Sequence, residues 1–375
     1  MVSSFIPITP DTITSAFTPP PATIVLLGSC RRSTSSLLLS ALSSINMAKQ
    51  ESSHIGDNLP KVLLLGPPTV FKIYEREFSE KFHFLKPLES SIPLHQFLSV
   101  HAGSVKAAFC SASHPITGDI LQNLPELRFI MTSSAGIDHI DLHECKKHGV
   151  KVANAGSIFS EDVADMAVGL LIDVLRKISP ANRFVKAGLW PQNEVYPLGH
   201  KLGGTRVGIV GMGSIGSEVA KRLNSCGCII SYTSRNKKPN VKFPFCLNIQ
   251  ELAAKCEILI ICCALTDQTR HMIDKKVMLA LGKDGIIVNI ARGAVVNEKD
   301  MFECLQKGEI SGAGLDVFEN EPDVSEEFFE LDNVVMAPHH AVMTEESFRN
   351  LYELVVGNLE AFFSNKQLMF EVMKV

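Results

Sequence analysis

No C-x-x-C pair occurs anywhere in the 375 residues, although the chain carries ten cysteines. Zinc-ribbon spacing is therefore missing, and the irregular positions (30, 110, 145, 226, 228, 246, 256, 262, 263 and 304) outline no disulfide framework. Several lie in apolar runs such as Ile258 to Ala264, where a free thiol acts as a small core hydrophobe, so a reducing compartment is expected and a metal is not. Long hydrophobic runs are lacking as well. None approaches the roughly 20 residues of a membrane span, and no membrane partner is expected. Positive charge is not in excess either: 36 basic against 40 acidic residues give a net charge of -4, which argues against a nucleic-acid surface built on bulk charge.

Residues 1 to 48 are poor in charge of both signs, with Asp11, Arg31 and Arg32 against sixteen Ser or Thr and a Pro run at 19 to 21. Such a segment buries too little apolar surface to fold, so residues 1 to 60 are expected to be a disordered extension. Many hydroxyls and few acids resemble an organelle transit peptide for plastid or mitochondrion. Two arginines are few for that purpose, Ala22 to Leu27 is a poor signal-peptide core, and Met47 offers a second start. A transit peptide and a dispensable extension on a cytosolic protein both remain open.

What is present is an ordinary soluble composition, 46% hydrophobic, long enough for two domains. Val62 to Gly66, Ala107 to Cys110 and Leu127 to Met131 are apolar runs of strand length alternating with helical segments, which implies an α/β domain with a parallel sheet covered on both faces. Glu161 to Ala187 follows as one long helical pattern interrupted by Pro180. Asp162, Asp165 and Asp173 lie on its polar edge, and Val163, Ala167, Leu170, Leu171 and Val174 point inward, as in a link between two domains.

A second βα series opens with Arg206 to Val210, then Gly211-Met212-Gly213-Ser214-Ile215-Gly216 and an amphipathic helix over Ser217 to Ser225. A G-x-G-x-x-G alone is weak. Leaving an apolar strand and opening a helix, it becomes a dinucleotide fingerprint: a tight turn, close backbone approach to a pyrophosphate, and phosphates at a helix N-terminus. The next strand, Cys228 to Thr233, ends at Ser234, where an NAD-selecting fold usually carries an acid. Arg235, Asn236, Lys237 and Lys238 follow. A hydroxyl, a guanidinium and two ammonium groups favour the 2′-phosphate of NADP, so NADPH is expected to be preferred over NADH; a solvated basic turn is the alternative.

Further apolar strands end at Thr266, at Ala291-Arg292-Gly293, at Asp316 to Pro322 and at Pro338-His339. In open α/β sheets the carboxyl ends of strands line the ligand crevice, so Arg292, Glu321 and His339 are expected to converge. His139, His271 and His340 have no motif around them and are expected to be surface or core-satisfied histidines. Trp190 and Tyr196 are expected to pack under the linker helix, capping a neighbouring subunit's site being the alternative.

Together these motifs resemble the D-isomer-specific 2-hydroxyacid dehydrogenases, and among them the plant-type glyoxylate and hydroxypyruvate reductases. The resemblance covers residues 61 to about 365 and rests on the glycine fingerprint, Val288 to Gly293, Gly314 to Phe318 with Glu321-Pro322, and Pro338-His339. It implies two doubly wound parallel-sheet domains: a flavodoxin-like substrate domain of residues 61–160 completed by 340–375, enclosing a Rossmann cofactor domain of 161–339. It implies His339 as proton donor to a substrate carbonyl, Glu321 as its carboxylate partner, and Arg292 as the cation that grips a 2-keto carboxylate. An imidazole titrates near neutrality and a neighbouring carboxylate favours its charged form, which suits a general acid. Backbone amides of Ala135 and Gly136, in Ser133 to Asp138, would help bind the carboxylate. Gly211, Gly213, Ser214, Ile215, Gly216, Ser234, Arg235, Asn236, Thr266, Ala291 and Asp316 would line the cofactor.

One departure stands out. His340-Ala341-Val342-Met343 follows His339 where the family has small residues, which bears on pocket size. Hydroxyphenylpyruvate reduction and a nucleotide-sensing corepressor-like binding role are the rival functions. Only 36 residues follow His339, too few for the regulatory domain of a phosphoglycerate dehydrogenase. A homodimer is the expected assembly.

Overall fold

Twelve strands fall into two six-stranded sheets in the computed structural model, which describes residues 59–192 and 195–373. The expectations for residues 1 to 58 lie outside these. β1 (Lys61–Leu65), β2 (His83–Leu85), β3 (Ala107–Cys110), β4 (Phe129–Thr132) and β5 (Lys151–Ala153) form the first sheet with β12 (Glu371–Met373), in the order β12-β5-β4-β3-β1-β2. Omitting β12, this is the 2-1-3-4-5 order of flavodoxin-like sheets. All pairings are parallel except β12 with β5, so the sheet recruits its last strand from the far end of the chain. The strands read as unbroken apolar runs because helices cover both faces, and the residues of β3 and β4 are buried throughout.

β6 (Arg206–Val210), β7 (Ile229–Thr233), β8 (Ile258–Ile261), β9 (Ile286–Asn289), β10 (Gly312–Leu315) and β11 (Val334–Met336) form the second sheet, parallel throughout, in the order β11-β10-β9-β8-β6-β7. Beyond β7, Phe245 makes a single parallel bridge to Tyr232. Counting that bridge as a reduced third strand, the order is the 3-2-1-4-5-6 of dinucleotide-binding folds with β11 added as a seventh at the far edge, and the reversal falls between β6 and β8.

The long helical pattern divides differently from expectation. One helix runs Ser160–Arg176 and the next Ile178–Lys186, and the break is Lys177 at φ +54°, not Pro180. Pro180 sits in the first turn of the second helix, where its missing N–H costs nothing. The Asp173 carboxylate accepts from Ser179 N at 2.7 Å and from Ser179 Oγ at 2.5 Å, capping that second helix from the first. Val163, Ala167, Leu170 and Leu171 are buried as expected, whereas Val174 is half-buried and Leu175 takes the inner position. The helix Ser160–Arg176 lies on β9, β10 and β11 and on the helix Ser214–Ser225.

Near the other end, the helix Glu345–Phe363 packs on β4. Its fully buried Asn358 accepts from Met369 N at 2.7 Å and donates to Met369 O at 3.1 Å, copying a strand's hydrogen bonds and holding the tail that becomes β12. Both sheets belong to one compact unit, Leu59–Val375.

Candidate active site

The glycine fingerprint sits where the strand order reverses. Gly211, at φ +99°, turns the chain away from β6, and a Cβ there would meet Cys263 N at 2.8 Å, so the turn lies directly on the residues leaving β8. The helix begins at Ser214, earlier than the Ser217 expected, and therefore inside the motif. Gly213 is its N-cap and offers no side-chain acceptor, so the first-turn N–H groups, which have no intrahelical partner, are not capped by it either. Nothing lies within 4 Å of the place a Gly213 Cβ would occupy. Open space in front of unpartnered donors and a helix N-terminus fits the pyrophosphate of a dinucleotide.

At the end of β7, Ser234 Oγ donates to Asn236 O at 2.7 Å and the Lys238 N–H to the Tyr232 hydroxyl at 2.9 Å, which tightens the turn. Arg235, Asn236, Lys237 and Lys238 are exposed on it, with no carboxylate among them. Thr266, past β8, is exposed, and its N–H donates to Thr269 Oγ1 at 2.8 Å.

Arg292 stands on the loop after β9. Buried Asn289 folds that loop, its amide accepting from Ala291 N at 3.1 Å and donating to Arg292 O at 3.0 Å. Asn289 was within the sequence motif but carried no assigned role, because an amide that satisfies backbone groups leaves no pattern in composition. The Arg292 guanidinium donates through Nη1 to Ala291 O at 2.8 Å and reaches Asp138 of the first sheet's β4 loop through Nη2 at 3.2 Å and Nε at 3.5 Å. It lies so close over Gly136 that a Cβ there would collide with Nη2. Burial pushes the Asp138 carboxyl up, but the Arg292 charge and hydrogen bonds outweigh it and hold the group below the usual carboxylate range. Asn154 Nδ2 donates to Ala135 O at 2.6 Å, and the loop is further braced by Thr132 Oγ1 against His139 Nε2 at 3.0 Å. Burial lowers the His139 pKa, and its Nδ1 is buried without a partner.

His339 and Glu321 meet directly, Nδ1 to Oε2, at 2.6 Å. The other Glu321 oxygen accepts from Phe318 N at 2.9 Å. Burial raises the Glu321 carboxyl, yet the His339 and Phe318 hydrogen bonds and the charges of His339 and Arg292 bring it below its ordinary value. Glu321 thus pairs with His339 directly and lies within electrostatic reach of Arg292. His339 itself has φ +50°, a left-handed residue at a sharp turn. The turn is held by Asp316, 1% exposed, whose oxygens accept from His340 N at 2.9 Å and Ala341 N at 3.1 Å. The structure thus gives Asp316 a bracing task that the sequence did not suggest. Val342 packs on the core and Met343 is exposed.

The three histidines without motif support differ. His340 lies 3.4 Å from Asp316, and His271 Nε2 pairs with Glu319 Oε1 at 2.6 Å, tying the loop after β8 to the loop after β10. Tyr196 packs against Phe184 with the rings tilted and 5.3 Å between their centroids, whereas Trp190 is exposed.

A parallel six-stranded sheet with a glycine turn at its reversal, in a chain whose strand-end loops carry Arg292 and the Glu321–His339 pair, is the architecture of a dinucleotide-dependent oxidoreductase. Residues 168–341 match the model of the D-isomer specific 2-hydroxyacid dehydrogenase NAD binding domain. The chain is 48% identical over 316 residues to a glyoxylate/hydroxypyruvate reductase of Arabidopsis thaliana, covering 84% of this chain and 97% of that protein. It is 39% identical over 311 residues to the hydroxyphenylpyruvate reductase of Plectranthus scutellarioides, covering 83% and 98%. Among solved structures, an NADPH-dependent glyoxylate/hydroxypyruvate reductase from Sinorhizobium meliloti, in complex with NADP and malonate, superposes with a TM-score of 0.76 at 29% identity, over 84% of this chain and 96% of that one. The chain belongs to the D-isomer-specific 2-hydroxyacid dehydrogenases.

Proposed function

We propose that this enzyme reduces small 2-keto acids, glyoxylate and hydroxypyruvate, to the 2-hydroxy acids glycolate and D-glycerate, with NADPH preferred over NADH. The observation that carries the reading is the 2.6 Å His339–Glu321 pair, whose carboxylate also responds to the charge of Arg292. When bound, the reduced nicotinamide supplies the hydride. The first turn of the helix from Ser214, with Gly211 and Gly213, holds the pyrophosphate, and Ser234, Arg235 and Asn236 receive the 2′-phosphate. Arg292 and the amides of Ala135 and Gly136 hold the substrate carboxylate, and the Arg292 charge meets the negative charge that develops on the keto oxygen. His339 has its Nδ1 committed to Glu321, so the proton goes from Nε2 to that oxygen, leaving a neutral ring and an alcohol. The likeness to named glyoxylate/hydroxypyruvate reductases at 48% identity and to an NADPH-dependent structural neighbour supports this substrate and cofactor choice.

The same reading has the substrate domain as residues 61–160 completed by 340–375 around a cofactor domain of 161–339, in a cytosolic homodimer. Ile178, Val185, Trp190, Val195 and Leu198 are each exposed, and so many large apolar side chains left in water by a lone subunit favour the dimer. Steady-state rates with glyoxylate, hydroxypyruvate and hydroxyphenylpyruvate, each with NADPH and NADH at fixed ionic strength, test the function. Absence of turnover with all three would point to the corepressor-like binding role. Replacing Ser234 with Asp and Arg235 with Ala should shift kcat/KM toward NADH by about 1 to 3 kcal/mol; an unchanged ratio would reduce the basic turn to a solvated loop.

A further inference from the structure

Asp138 has no place in the chemistry above, yet it makes the one ion pair of Arg292 among the described residues, and it reaches across from the other sheet to do so. Guanidinium carries five N–H donors. Asp138 takes Nε–H and one Nη2–H, at 3.5 and 3.2 Å, and Ala291 O takes one Nη1–H at 2.8 Å. One N–H remains on each terminal nitrogen, and these two donors are the fork open to a planar carboxylate or to a carboxylate oxygen with the adjacent keto oxygen. The pair is not incidental packing. A side chain at position 136 would occupy the space of both Arg292 Nη2 and Asp138 Oδ1, the latter at 2.9 Å, so Gly136 is what lets the two groups meet. Both remain partly open, the Arg292 side chain 26% and Asp138 38% exposed, so a ligand on the free fork faces a fixed carboxylate with little protein between.

We propose that Asp138 is the positioning residue for Arg292 and, through its fixed negative charge beside the substrate's binding fork, biases the site toward 2-keto acids that carry a single negative charge. The proposal rests on the reading of Arg292 as the substrate clamp. A second carboxylate on the ligand would lie within several ångströms of Asp138, where like charges in a partly solvated site repel appreciably. Held below the usual carboxylate range, Asp138 is ionised at neutral pH.

Oxalate and oxamate test this cleanly, being the same size and differing by one carboxylate against one neutral amide. Their dissociation constants are measured by titration calorimetry on the enzyme saturated with oxidised dinucleotide, for wild type, Asp138→Asn and Asp138→Ala. Both variants should move the oxalate-to-oxamate affinity ratio toward oxalate by about tenfold, an effect that shrinks as salt screens the charge. Positioning gives a second, separate readout. Asn still accepts from the guanidinium and Ala does not, so with glyoxylate Ala should lose more kcat than Asn. A ratio equal to wild type in both variants, at low salt, overturns the charge role, and equal kcat in Asn and Ala overturns the positioning role. If neither ligand binds in competition with glyoxylate, the reading of Arg292 as clamp fails and this proposal fails with it.

Discussion

Glu321 and Asp138 each hold one of the site's two basic side chains, and they do so from different sheets. The tasks proposed for His339 and Arg292 differ, so their loss should look different. His339→Ala should lower kcat by roughly 100-fold or more with a modest change in KM, whereas Arg292→Ala should raise KM as well. Steady-state kinetics with glyoxylate decide it; a His339→Ala enzyme with wild-type kcat removes the proton-donor role. Acid sensitivity follows from the same pairs. Asp138 and Glu321 both have depressed values in the folded protein, so the unfolded chain binds more protons as pH falls through the ordinary carboxyl range, about 4. Their contribution to stability is fully present above that range and is lost as pH drops through the folded values. The melting temperature of Asp138→Asn should therefore fall less than that of wild type between pH 6 and pH 3; parallel curves would mean that the pair contributes nothing to folding.

At the scale of elements, whatever depended on apolar runs was legible and whatever depended on a single polar side chain was not. The strands β1, β3 and β6 were visible because parallel strands buried on both faces leave uninterrupted Val, Leu and Ile. The candidate residues Arg292, Glu321 and His339 were singled out because each comes after an apolar strand, although β11, before His339, is buried only at Val334. Lys177 was not, since a left-handed residue at the end of a helix leaves no trace when it is neither Gly nor Asn. Phe245 likewise passed unnoticed: one bridge residue has no period. Asn358 hides among apolar neighbours on its helix, and only the structure shows it bonded to both backbone groups of Met369. Asn358→Ala would take the partner from those two groups, which are only part-buried, a cost of about 1 to 3 kcal/mol in all. The expected outcome is early proteolytic loss of the segment around β12, read by mass spectrometry under native conditions; protection equal to wild type would show that the tail is held by other contacts.

Over the whole molecule, the cysteines report how completely the two cores exclude water. Of the nine described, Cys226 alone is exposed. Burial pushes the thiols of Cys110 and Cys304 up to about 12 and those of Cys145, Cys256 and Cys263 up to about 11, and that of Cys262 higher still. Such thiols hold their protons and offer no nucleophile. Alkylation of the native enzyme at pH 8, mapped by peptide mass spectrometry, should modify Cys226 well before any of the other eight. Equal labelling would mean that the sheets open far more often than their packing implies.

The left-handed backbone of His339 has a consequence that reaches past catalysis. At φ +50° a side chain crowds its own peptide group, while glycine takes that conformation without penalty. The residue proposed as proton donor thus occupies a backbone conformation that favours glycine. In a Glu321→Gln background, where the ion pair is already gone, His339→Gly should raise stability by about 1 kcal/mol, measurable by denaturant unfolding. If His339 is the proton donor as proposed, a lineage released from selection for turnover would gain stability by shedding it first, and a homologue with glycine at this position would mark where the reaction had been abandoned.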